Sequence, residues 1–84
     1  MARRYHLVLP DLGFGDRPIH ASLWLVGRGA RVCAGDAILE VVAGSATVDL
    51  PSPADGVLVR RRVAEGDTLT VGQRLAVIAE EEDK

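Results

Sequence analysis

Apart from Lys84, its last residue, the chain of 84 residues contains no lysine, so no ε-amine is available anywhere before the terminus. Aromatics are almost as scarce: Tyr5, Phe14 and Trp24 are the only three. With 48% apolar residues, drawn chiefly from Val, Leu, Ile and Ala, a packed core is within reach but must be aliphatic, a composition that suits short strands. Cys33 is the single cysteine, which excludes an intrachain disulfide and, without neighbouring Cys or paired His, a thiolate metal site; a reducing compartment follows. There is no long apolar run either. The one after Met1-Ala2-Arg3-Arg4 ends at Pro10, too short for a signal-peptide core or a membrane span. A net charge of −2 with scattered basic residues leaves no electrostatic footprint for nucleic acid. The composition points to a soluble cytoplasmic protein, and its richness in Arg, Ala, Gly and Val to a GC-rich bacterial genome.

What is present is an internal repeat. Gly29 matches Gly66, Val32 matches Leu69, Gly35 matches Gly72, Ile38 matches Leu75 and Val41 matches Ile78, all at an offset of 37 residues. Each copy reads as a turn glycine, a short apolar strand, a second turn glycine and a strand with spaced apolar residues. Gly35-Asp36 and Gly66-Asp67 are turn dipeptides in which glycine supplies positive φ. Short β-branched and aliphatic runs predict strands over Tyr5 to Leu9, Ile19 to Val26, Ala37 to Val42, Ala46 to Leu50, Val57 to Val63 and Arg74 to Ala79. No 3.6-residue stripe outlasts two turns, so the class is all-β. Two copies at one offset predict a quasi-twofold pair of antiparallel sheets over a shared core, because neither half could bury its apolar face alone. The length allows one small domain, since a chain of this size buries roughly 60 to 65% of its unfolded surface. That domain is expected over 5–79, with a flexible N-terminus at 1–4 and a solubilising acidic tail at 80–84.

No catalytic constellation emerges. His6 and His20 fall on different strands, and no Ser, Cys or carboxylate is spaced for a triad. Gly13-Phe14-Gly15 lacks the third glycine and following helix of a dinucleotide loop. Asp49, Asp55, Asp67 and Glu40 belong to strand ends and turns, where carboxylates are solvated or bond locally. Arg60-Arg61-Arg62 is the one dense basic patch. Strand alternation predicts that it is split, with Arg61 opposite Arg60 and Arg62, so it reads as a solvated face rather than a docking surface for an acidic partner. The chain is expected not to be an enzyme by itself.

The stretch from Gly35-Asp36 through Glu40-Val41 to Pro51-Ser52-Pro53-Ala54-Asp55-Gly56 resembles the lipoyl attachment region of 2-oxo acid dehydrogenase acyltransferases, whose run is close to GD-x-L-x-EVETDKA-x-VE-x-PSP-x-x-G. The likeness extends from Leu9-Pro10-Asp11-Leu12-Gly13, through Ile19 and Trp24-Leu25-Val26, to Leu75-Ala76-Val77-Ile78. It implies a flattened eight-stranded barrel-sandwich hybrid with an acceptor hairpin at one end and with Trp24 packed inward. It also implies that the hairpin tip is Val42-Ala43-Gly44-Ser45-Ala46, where Ser45 stands in place of the lipoyl-bearing lysine. The acidic-polar-acidic run that precedes that lysine in the family is here Val42-Ala43-Gly44.

A serine cannot form the lipoyl amide, so neither lipoate nor biotin is expected as a cofactor. A second departure is Phe14, an aromatic between two glycines where the family has an acidic residue in a loop beside the hairpin. Phe14, Val42 and Ala43 are therefore the candidate partner-binding residues, with Phe14 either tucked onto its own fold or offered as an anchor. The resemblance implies a non-lipoylated binding or accessory module whose partner is a separate acyltransferase catalytic subunit of the 2-oxo acid dehydrogenase type, as in split acyltransferase systems of specialised metabolism. Two other readings stay open: a carrier modified on Ser45, although no Asp-Ser-Leu signature of phosphopantetheine carriers surrounds it, and a free-standing adaptor.

Overall fold

The computed structural model describes residues 3–81. Eight strands appear in chain order: β1 (Arg4–Val8), β2 (Ile19–Trp24), β3 (Arg31–Val32), β4 (Ala37–Ala43), β5 (Ala46–Pro51), β6 (Gly56–Arg61), β7 (Thr68–Leu69) and β8 (Arg74–Ala79). They form two antiparallel four-stranded sheets, β1-β8-β6-β3 and β5-β4-β2-β7. No strand pairing joins the sheets among the described residues, so the eight strands make a sandwich and not a closed barrel.

The repeat at offset 37 maps β2, β3 and β4 onto β6, β7 and β8. Bulges recur at equivalent places, between Ala21 and Leu23 in β2 and between Leu58 and Arg60 in β6. Turn bonds recur as well: Gly29 N donates to Leu58 O and Gly66 N to Ala21 O, both at 2.7 Å. The short strand of each copy crosses to the other sheet, β3 pairing with β6 and β7 with β2. Every sheet therefore contains strands of both copies, so neither half could complete a sheet alone.

Between the sheets lies the predicted aliphatic core. Leu9, Ile38, Leu39, Val41, Leu50, Leu58, Leu75 and Ile78 are its largest fully buried side chains, and no aromatic is among them. The matched pairs Val32/Leu69, Ile38/Leu75 and Val41/Ile78 are all buried, so the repeat seen in the sequence is the repeat of the core.

Two expectations need adjustment. Arg4 already belongs to β1, and Glu80 N donates to Arg3 O at 2.8 Å, so strand pairing reaches into the segment read as a flexible N-terminus. At the other end Glu80 accepts a bond from the Tyr5 hydroxyl at 3.3 Å, and Glu81 pairs with Arg31 at 2.9 Å; the rest of the acidic tail and Lys84 lie outside the described residues. The arginine run is split as alternation predicts: Arg60 stands opposite Val77 and Arg61 opposite Ala76, consecutive residues of β8, so the two face opposite sides of the sheet and Arg61 lays its guanidinium over the Trp24 ring.

Candidate functional site

The β4–β5 hairpin is the site that the sequence singles out, and its register is Val41 opposite Val48, Val42 opposite Thr47 and Ala43 opposite Ala46. That leaves Gly44 and Ser45 as a two-residue connection. Gly44 has φ 61°, while no residue other than glycine has positive φ. Positive φ at the first central position alone is the type II′ arrangement, whose twist matches that of the flanking strands and which prefers glycine there. The tip is thus well-formed turn chemistry with Ser45 exposed at its apex.

Alternation along β4 divides the candidate residues. Val41 and Ala43 point into the core, whereas Glu40 and Val42 are half-buried and face outward. Ala43 has no exposed surface, which corrects its reading as a partner-binding residue; at the tip only Val42, Gly44, Ser45 and Ala46 have surface in solvent. Outside, the Ser22 hydroxyl donates to Glu40 at 3.1 Å, and His20 stands opposite Val42 in the β2–β4 pair. His20 is the neighbour that sequence reasoning passed over, because only the strand register brings it to the hairpin.

The loop from Pro10 to Pro18 joins β2 at that same end. Asp11 accepts a bond from Gly13 N at 2.9 Å, and Arg17 N donates to Phe14 O at 3.3 Å. Within this scaffold Phe14 is half-buried and packs against the core cluster, so the aromatic tucks onto its own fold while keeping part of the ring in solvent. Gly72 N donates to Leu9 O at 2.8 Å, which sets the 70–73 turn against the base of the loop and leaves Val71, 51% exposed, as an apolar neighbour the sequence did not flag.

Chemically the site is sparse. His6 lies in the β1 sheet and His20 in the β2 sheet, and no group of His, Cys, Asp or Glu suited to a metal ion exists among the described residues. Linking lipoate or biotin requires a primary amine to form the amide, and residues 3–81 hold no lysine. The hairpin tip, Val42 to Ala46, therefore offers no amine. No ionisable side chain at the tip could substitute for it.

The geometry can be set beside known proteins. The profile of the family described as biotin-requiring enzyme, which joins biotin and lipoyl domains, matches residues 6–78. The chain is 41% identical over 61 residues to the pyruvate dehydrogenase complex protein X component of Chaetomium thermophilum, an alignment covering 71% of this chain and 14% of that protein. It is 35% identical over 83 residues to the dihydrolipoyllysine-residue acetyltransferase component of the acetoin cleaving system of Pseudomonas putida, covering 98% of this chain and 22% of that one. The chain thus spans about a seventh to a fifth of the length of these relatives. Among solved structures, the lipoyl domain of the 2-oxoglutarate dehydrogenase complex from Azotobacter vinelandii superposes with a TM-score of 0.71 at 20% identity, covering 93% of this chain and 98% of that domain. The two sheets, the terminal hairpin and the sequence match over residues 6–78 place the chain in the biotin and lipoyl domain family.

Proposed function

We propose that this chain is a lipoyl-like module that carries neither lipoate nor biotin, performs no catalysis itself, and serves in the cytoplasm as a binding or accessory module for an acyltransferase catalytic subunit of the 2-oxo acid dehydrogenase type. The observation that carries the reading is the hairpin tip, a complete turn built from Gly44 and Ser45 with no amine among residues 3–81. The likeness to acyltransferase components supports the choice of partner. No helix of the described residues is long and apolar enough to cross a membrane.

Intact mass spectrometry after expression with active lipoyl and biotin ligases tests the first part. The expected result is the unmodified mass; a lipoyl, biotinyl or phosphopantetheinyl increment on the chain overturns it, and an increment on Ser45 favours the carrier reading. Ser45→Lys is expected to regain modification poorly, because Val42, Ala43 and Gly44 still replace the polar flanks. Complete lipoylation of that variant would show that the flanks matter little.

Docking is proposed at the hairpin end, through the exposed part of Phe14, Val42 and the turn. Against a cognate acyltransferase subunit, Phe14→Ala is expected to weaken binding by about 1 to 3 kcal/mol in titration calorimetry. Since Phe14 also packs on its own core, Val42→Asp provides a second reading of the same face, placing a charge where desolvation would be costly. Arg74→Ala, in the other sheet, should leave binding unchanged; if it weakens binding while Val42→Asp does not, the interface lies elsewhere.

A further inference from the structure

We draw no further inference here: the strongest candidate, the apolar groove between the edge strands β1 and β5, lined chiefly by Leu7, Val8, Pro10, Leu50, Pro51 and Pro53, carries nothing because nothing in the structure shows what covers it.

Discussion

Replacing Gly56 by alanine is expected to cost at least about 3 kcal/mol and to leave little folded protein at 37 °C, a penalty beyond the usual range for an added methylene because only backbone stands in the way. A Cβ at this position would sit 2.2 Å from the carbonyl oxygen of Ala79, 2.8 Å from its carbon and 3.1 Å from the Cα of Glu80. No rotamer change can relieve such overlap. Relief requires β6 to move away from β8 where Val57 pairs with Ala79, while β3 pairs with Gly56 itself from the other side through Val32. The strand is held on both flanks, so displacement breaks one ladder or the other. A domain of this size has roughly 5 to 10 kcal/mol of stability to lose. The control is Gly44→Ala, which meets no atom within 4 Å and pays only for its φ of 61°, about 1 to 2 kcal/mol. Urea melts of both variants decide the point: a Gly56→Ala midpoint close to that of the parent, or a larger loss at Gly44, would show that the strands separate more easily than their pairing implies.

Gly56 also marks the limit of what the repeat discloses. Its equivalent at offset 37 is Ile19, a core residue, so symmetry alone would have placed an isoleucine where the chain allows no side chain at all. The repeat made the buried positions, the turn glycines and even the two minor strands legible, because core filling and tight turns impose residue type at each position. Gly29 and Gly66 share φ 94°, and Gly35 and Gly72 have φ 92° and 89°, which shows how closely the two halves obey the same backbone demand. Bulges, in contrast, leave little trace in composition. The extra residue in β6 sets both Val59 and Arg60 opposite Val77, a shift of phase that parity along the sequence does not disclose.

The hairpin was similarly legible in part. Gly44-Ser45 announces a two-residue turn, and the register puts Ala43 and Ala46 on either side of it. Whether Val42 or Ala43 faces solvent depends on which face of β4 meets the opposing sheet. The small side chain of Ala43 gives no hint, since alanine is tolerated inside and out. Phe14 was left between two outcomes by its flanking glycines, and packing against the core decided the larger part of the ring. His20 and Val71 came to the site only through pairings and turn bonds distant in sequence.

Trp24→Ala is expected to cost about 2 to 4 kcal/mol, less than the loss for a fully buried tryptophan, because the side chain lies at the margin of the core and not within it. The sequence reading had Trp24 packed inward; it is half-buried, resting against the core cluster with part of its ring open to solvent. Three contributions go with it. The covered part of the ring is removed from the core, and the Nε1–H donor to Val63 O at 3.1 Å disappears, worth about 1 kcal/mol. Arg61 also loses the aromatic face above which its guanidinium lies, at about 0.5 to 1 kcal/mol for an exposed pair. The backbone bond from Trp24 N to Glu65 at 2.9 Å survives the substitution. Because Trp24 and Arg61 are equivalents in the two copies, this contact joins the halves where their sequences have diverged into an aromatic and a cation. Arg61→Ala should therefore cost only the cation–π part, and Trp24→Phe should retain most of the packing while losing the donor. Equilibrium unfolding in urea of the three variants gives the ranking Trp24→Ala, then Trp24→Phe, then Arg61→Ala in order of decreasing loss. A Trp24→Ala loss below about 1 kcal/mol would mean that the ring is a surface ornament, and one above about 5 kcal/mol would restore it to the core.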